Sequence, residues 1–154
     1  IAKVGDAYHG VLYLDELILK GRASFHTNDP LQIGITSGGA LTLKEASLSA
    51  PSLVLDPKAS LTLDASQLIV SGNLSINNLS LLRGSVLTTP GPKQGVFFPL
   101  KLEVAQKLEI DATSTIDVTN KGYSGGITIS PAGYHQGNSQ TGGPTGLTGG
   151  SHGG

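Results

Sequence analysis

The feature that most constrains this chain is a series of very short strand-like pieces that follow one another closely. Between residues 41 and 118, apolar residues alternate with polar ones in pieces such as Leu53–Leu55, Leu61–Leu63 and Leu74–Ile76. The pieces are about three to five residues long and begin about five to eight residues apart. Alternation directs every second side chain to the same face, which is the period of a β-strand. The sequence therefore predicts an all-β fold.

The corners between these pieces carry no hairpin signal. Tight antiparallel hairpins favour Asn-Gly or Asp-Gly turns, and neither dipeptide occurs in the chain. The connectors are Asp-Pro-Lys-Ala-Ser, Asp-Ala-Ser-Gln and Ser-Gly-Asn. Three such strands make a coil of about 20 residues, a period at which repeat folds stack. We predict a right-handed parallel β-helix, a β-solenoid, with ladders of Leu and Ile inside. The alternative is a β-sandwich or jelly roll.

Three zones follow from the pattern. Residues 1–39 are expected to form N-terminal coils or a cap of the solenoid, residues 40–122 its core, and residues 123–154 a glycine-rich excursion or linker. Within the core, residues 88–99 contain three prolines, which remove ladder donors and fix φ. This segment is predicted to be a loop, either packed on itself or contacting a ligand. Its candidate contact residues are Val96, Phe97 and Phe98.

Composition limits the classes of function. Charged residues make up 14% of the chain and the net charge is −1, against about 25% charged residues in an ordinary domain. We therefore expect neither nucleic-acid binding nor attraction to an anionic membrane. The chain has no Cys, which excludes disulfides, thiolate nucleophiles and sulfur-ligated metals. It also begins without Met and shows no signal peptide, so we expect a processed product or a fragment.

Paired carboxylates are the chemistry to consider on a β-helix. Asp56 and Asp64 occupy matching positions in two similar pentapeptides, and Asp111 and Asp117 interrupt neighbouring strands. A glycosidase needs two carboxylates about 5–10 Å apart, and a lyase of this fold needs a base and clustered carboxylates for calcium. Here the acids stand one to a corner. We expect them to cap turns, with no catalytic residue and no cofactor.

Metal binding is tested by the same spacing argument. Asp117 with Asn120, or Asp111 with Asp117, would be the calcium candidates, but the Gly-Gly-x-Gly-x-Asp repeat of calcium-binding β-rolls is absent. The histidines show no metal-ligand spacing; they are His9, His26, His135 and His152. No metal ligand is predicted. Thr42 and Thr62 belong to no regular Thr-x-Thr array, so ice binding is not expected.

The C-terminal segment has a distinct composition. Residues 122–154 hold twelve of the 22 glycines, a composition that cannot bury a core. The segment is either a mobile linker or lies ordered with Tyr123 and Tyr134 as anchors. The run Ile-Asp-Val-Thr-Asn-Lys-Gly-Tyr-Ser-Gly-Gly at 116–126 and the Gly-Gly-Ser-His-Gly-Gly at 149–154 resemble a signature of very large secreted bacterial β-helix proteins, many of them adhesin-like. The resemblance covers about residues 100–154 and implies a β-helix in an exported protein that continues beyond Gly154.

These observations predict a non-catalytic structural or adhesive segment of a large secreted or cell-surface protein. Its expected partners are other segments or subunits of the same assembly and surface glycans, with no nucleic acid and no membrane insertion. Two alternatives stay open. One is a carbohydrate-active β-helix, lyase-like or glycosidase-like; the other is a scaffold or shell segment of a secreted toxin or autotransporter passenger.

Overall fold

The computed structural model describes residues 10–26, 31–50, 53–91, 98–119 and 121. These residues form strands and turns and no helix. The chain comprises two compact units, residues 1–88 with 100–116, and residues 89–99 with 117–154. The strands of the described residues are β1 (Gly10–Lys20), β2 (Ser24–His26), β3 (Leu31–Lys44), β4 (Ser47–Ala50), β5 (Leu53–Leu55), β6 (Ser60–Asp64), β7 (Gln67–Val70), β8 (Gly72–Leu82), β9 (Val86–Thr88), β10 (Leu100–Ile110) and β11 (Thr115–Asp117).

The first unit is a stack of parallel strands. One sheet has the order β1-β3-β6-β8-β10, with β5 beside β3, and the other has the order β11-β9-β7-β4-β2. The strand pairs in both sheets are parallel. Because the chain alternates between the two sheets as it advances, each strand lies against its counterpart in the next coil. This arrangement confirms the predicted parallel β-helix and excludes an antiparallel sandwich or jelly roll.

The register explains why the short apolar pieces suffice to build a core. Leu41 pairs with Leu61, and Leu61 pairs with Leu79, so identical side chains stack along one column inside the solenoid. All three are at most 1% exposed. The second sheet contributes a parallel column, in which Leu48 pairs with Leu68. Full burial of such a side chain stabilises the fold by roughly 1.5–3 kcal/mol. The predicted leucine ladders are therefore present.

The structure joins several pieces that the sequence suggests are separate. Leu74–Ile76 and Leu79–Leu81 both lie in β8, where the burial alternation breaks between them at Asn77 and Asn78, and the apolar pairs of residues 100–110 are likewise joined in β10. Strands β2, β4 and β9 were not predicted. None of them carries two large apolar residues two positions apart, so no alternation is visible in the sequence. Because β1 pairs with β3, the described residues before position 40 belong to the same stack.

One corner of the solenoid repeats an unusual backbone conformation. Four non-glycine residues have a positive φ where the chain passes from the first sheet to the second: Arg22, Glu45, Ala65 and Arg83. This left-handed region is uncommon outside glycine. At the first three levels a backbone oxygen of the next coil accepts the amide, as in Glu45 N to Asp64 O at 2.9 Å and Ala65 N to Leu82 O at 2.9 Å. At Arg83 the acceptor is the Asp111 carboxylate. We name this feature the left-handed corner.

A second corner requires a glycine for space. A Cβ placed on Gly39 would overlap the backbone oxygen of Asp15 in β1 and would lie 2.8 Å from Ile35 Cγ2. The adjacent Gly38 has a φ of 75° but nothing within 4 Å of such a Cβ. The pair therefore serves two different needs, close approach of neighbouring coils at Gly39 and a left-handed turn at Gly38.

The second unit is described at few positions. Thr119 N donates to Asp117 Oδ1 at 2.9 Å, and Lys121 N donates to Val118 O at 3.1 Å. Both bonds are local turn contacts.

Candidate functional site

Three charged side chains meet at the left-handed corner. Asp64 is the last residue of β6, Arg83 follows β8, and Asp111 follows β10, so stacking brings three distant positions together. Arg83 Nε donates to Asp64 Oδ1, and the backbone N of Arg83 donates to Asp111 Oδ2. We name Asp64, Arg83 and Asp111 the corner cluster. From the sequence, Asp64 and Asp111 are expected to stand apart, one to a corner, but the structure places both around Arg83.

The electrostatics of the corner cluster hold every member in its charged form. The hydrogen bond from Arg83 lowers the pKa of Asp64, and the same bond raises the pKa of Arg83. The pKa of Asp111 lies far below its usual value, chiefly because of the Arg83 N–H and then because of bonds from Ser114 and Thr113. A general acid needs a carboxyl pKa raised toward neutrality, and an efficient general base needs a conjugate acid whose pKa lies near the operating pH. Neither carboxyl nor the guanidinium of this cluster meets that need.

Asp111 also closes its own turn. Its Oδ1 accepts hydrogen bonds from Thr113 N at 2.9 Å and from Ser114 N at 2.8 Å. Asp56 makes a similar contact, with its Oδ1 accepting Lys58 N at 2.8 Å, and Asp117 accepts Thr119 N as described above. These are aspartate side chains bonding to the backbone two residues on, a common way to fix a turn. The four acids considered as catalytic candidates thus each have a structural contact at a corner.

A column of three serines, two buried and one partly buried, runs beside the corner cluster. Ser66 Oγ accepts Ala46 N at 3.1 Å, Ser85 Oγ accepts Ser66 N at 3.2 Å, and Ser114 Oγ accepts Ser85 N at 3.0 Å. Their partners lie 20, 19 and 29 residues apart in sequence, which is one coil each. We name Ser66, Ser85 and Ser114 the serine ladder. It satisfies buried amides that the left-handed corner turns away from both sheets.

The surface over the serine ladder is an open groove. Small residues from successive coils, including Ala65 and Gly84, form its floor, and Arg22, Glu45 and Gln67 add polar groups to its lining. The groove crosses several coils, because these residues belong to different levels of the stack. We name it the corner groove. A guanidinium, a carboxylate and a side-chain amide beside small residues can form hydrogen bonds with an extended polar chain.

A flat outer surface of the first sheet carries uncharged polar side chains. Thr42 pairs with Thr62, which pairs with Ser80, and Ser60 pairs with Asn78. Asn78 Nδ2 donates to Ser60 Oγ at 3.2 Å. We name these five residues the hydroxyl face. Sequence spacing did not reveal it, because neighbouring threonines lie one coil apart rather than two residues apart.

The predicted contact residues are only partly described. Phe98 lies outside any strand and is half-buried. Val96, Phe97, Tyr123 and Tyr134 lie outside the described residues, so the contact loop and the tyrosine anchors stay predictions.

The histidines and the candidate metal ligands are also only partly described. His26 lies in β2 and is exposed, whereas His9, His135, His152 and Asn120 lie outside the described residues. In the part of the chain that the structure describes, no three acidic or histidine side chains group as metal ligands do. The described residues also form no helix of the length and hydrophobicity that crossing a membrane requires.

The serine ladder and the corner cluster are the features that the sequence interpretation missed. A usable signal exists for the ladder, since Ser66, Ser85 and Ser114 each follow an Ala, Gly or Thr and precede a short strand.

Comparison with protein-family models, with curated proteins and with solved structures finds no match to this chain.

Proposed function

We propose that this chain is a non-catalytic structural and adhesive segment of a large secreted or cell-surface protein. The observation that carries the proposal is that the corner acids and the buried hydroxyls bond to the coils themselves. Asp111 caps a turn, Asp64 pairs with Arg83, and the serine ladder satisfies buried amides. Polar groups used in this way make a rigid stack with nothing left poised for proton transfer at the corner cluster.

The adhesive part of the proposal rests on the corner groove. An oligosaccharide is an extended chain of hydroxyls, and the groove offers it Arg22, Glu45 and Gln67 from successive coils. The groove thus presents a guanidinium, a carboxylate and an amide to one ligand, whereas the hydroxyl face presents uncharged groups only. We therefore assign surface glycans to the groove. The low charge of the chain and the resemblance of its glycine-rich segment to exported β-helix proteins support the extracellular setting.

The non-catalytic role is tested with polysaccharides. The full chain is incubated with a panel of uronic-acid and neutral polysaccharides, and new reducing ends and the ultraviolet absorbance of unsaturated products are followed, with and without calcium. We expect no turnover above a heat-denatured control. Turnover that Arg83→Ala or Asp111→Asn abolishes without unfolding the chain would instead establish the carbohydrate-active alternative.

The adhesive role is tested on immobilised glycans. We expect binding to at least one class of glycan and about tenfold weaker binding for Gln67→Ala with Arg22→Ala, because both remove groove donors. The matched control is Thr62→Ala, which removes a hydroxyl from the hydroxyl face of a neighbouring strand. Equal losses for both variants, or no binding to any glycan, would refute the assignment to the corner groove.

A further inference from the structure

The stack ends in two open sheet edges. The first sheet begins at β1 and finishes at β10. Among the described residues, no strand pairs with the outer edge of either one. Unpaired N–H and C=O groups along such edges are a template for another strand. The question is which strand fits them.

The β10 end exposes the interior of the solenoid. Leu108 pairs with Leu79 and Ile110 pairs with Leu81, so both side chains stand at the end of core columns. Leu79 and Leu81 are fully buried, but Leu108 is 54% and Ile110 is 41% exposed. The difference arises because no further coil among the described residues covers β10. This end is an apolar surface bounded by an open backbone edge.

The β1 end presents the opposite termini of the same columns. Leu17 pairs with Leu41 and Leu19 pairs with Leu43, and these two residues of β1 are half-buried against the core. Each column therefore begins and finishes with an apolar residue. A second copy stacked on β10 through its β1 would continue the columns, with Leu17 over Leu108 and Leu19 over Ile110.

The residue pattern of β1 matches that of β8, the strand with which β10 already pairs. Both β1 and β8 have 11 residues, begin with Gly and carry Leu or Ile at their third, fifth, eighth and tenth positions. β8 has the single residue Asn77 between Ile76 and Asn78, and β10 accommodates it with a register shift between Val104 and Lys107. β1 has the single residue Asp15 at the equivalent place. Pairing β10 with β1 therefore requires the same shift of one residue that the stack already contains.

Charge is complementary along one outer column. This column begins at Glu16, continues through Ala40, Ser60 and Asn78, and ends at Lys107. Stacking in the same register places Lys107 of one copy beside Glu16 of the next. Such a pair contributes orientation and specificity to an interface.

We propose that copies of this chain associate head to tail, with the β10 edge of one copy pairing in parallel with the β1 edge of the next. The interface is heterologous, so association continues into linear oligomers. The proposal rests on the structural role given above and deepens it by naming the partner as a second copy. The two are separable. Turnover of a polysaccharide would overturn the structural role, whereas a strictly monomeric chain would overturn the stacking alone.

The experiment uses end-blocked variants of the full chain in sedimentation velocity over a wide concentration range. Leu108→Lys with Ile110→Lys blocks the β10 end, and Leu17→Lys blocks the β1 end. We expect the wild type to grow with concentration, each variant to be monomeric, and an equimolar mixture of the two to form a dimer that does not grow. Glu16→Lys serves as a milder β1-end variant if Leu17→Lys is misfolded by circular dichroism.

Three further variants keep the test specific. Lys107→Glu should weaken association about tenfold, and combining it with Glu16→Lys in one chain should restore it. Val54→Lys, an exposed apolar residue on the side of the stack, should change nothing. A wild type that stays monomeric at every concentration would overturn the proposal and indicate that the chain's own segments cap its ends. Equal disruption by Val54→Lys would overturn it in favour of lateral association.

Discussion

The serine ladder gives the sharpest test of how the corner is held together, through the substitution Ser85→Ala. Ser85 is fully buried; its Oγ accepts Ser66 N at 3.2 Å and donates to Leu82 O at 2.6 Å. The substitution removes both bonds and little volume. Leu82 O keeps its bond from Ala65 N at 2.9 Å, so the main loss is at the Ser66 amide.

The magnitude follows from that amide. A buried donor left without a partner costs about 1–3 kcal/mol, a substantial part of the roughly 5–15 kcal/mol that stabilises an ordinary domain. We expect Ser85→Ala to lower the free energy of unfolding in urea by that amount with an unchanged m-value. Hydrogen exchange should quicken at the Ser66 amide first.

The control is an outward-facing serine of the first sheet, Ser80 in β8. Ser80 Oγ donates to Glu109 Oε2 at 3.3 Å on the exposed surface, and Ser80→Ala should change stability by at most about 0.5 kcal/mol. A Ser85→Ala variant as stable as Ser80→Ala, with unchanged exchange at Ser66, would refute the role of the ladder. Ala46→Ser provides the converse, since it extends the ladder by one coil and should stabilise by up to about 1 kcal/mol.

Three other predictions concern packing and charge. Gly39→Ala should destabilise the fold by about 1–3 kcal/mol, because its Cβ would overlap the neighbouring coil, and this loss should exceed that of Gly38→Ala. Urea unfolding of both variants measures the order, and a reversed order would contradict the overlap. Leu79→Ala should lower the free energy of unfolding by about 2–5 kcal/mol. Leu108→Ala should lower that of the monomer by less than half as much, because the Leu108 side chain is 54% exposed. Equal losses would contradict an open end at β10. The folded-state pKa of Asp111 is lowered, so its contribution to stability is present above its unfolded pKa of about 3.9 and is lost as the pH falls. The urea midpoint should therefore drop further between about pH 7 and about pH 3 for the wild type than for Asp111→Asn. An equal drop in the two proteins would contradict this assignment.

The architecture could be predicted from the sequence because its determinant is local. Alternation at Leu61–Leu63 and Leu68–Val70 fixes which side chains point inward, and corners without a hairpin turn signal favour stacking as the way to bury them. The strands that escaped prediction, such as β9 at Val86–Thr88, are those that lack two large apolar residues two positions apart. Their strand conformation comes from pairing with the neighbouring coil.

The candidate site could not be predicted in the same way because it depends on register between coils. Asp64 and Arg83 are 19 residues apart, and Arg83 and Asp111 are 28 apart. Coil lengths vary enough that these separations do not follow from a fixed period. Had β10 paired with β8 one residue out of register, Asp111 would not face the Arg83 amide.

The left-handed corner connects these observations physically. A non-glycine residue such as Arg83 in this conformation raises the local energy by about 1–2 kcal/mol, and it persists only where neighbouring structure fixes it. At this level the fixing groups are the Asp111 carboxylate, which accepts the Arg83 amide, and the Asp64 carboxylate, which accepts the guanidinium. The corner cluster thus offsets a cost that the turn itself creates. Acids bound in that way stabilise the scaffold, and this is the observation on which the proposed structural role rests.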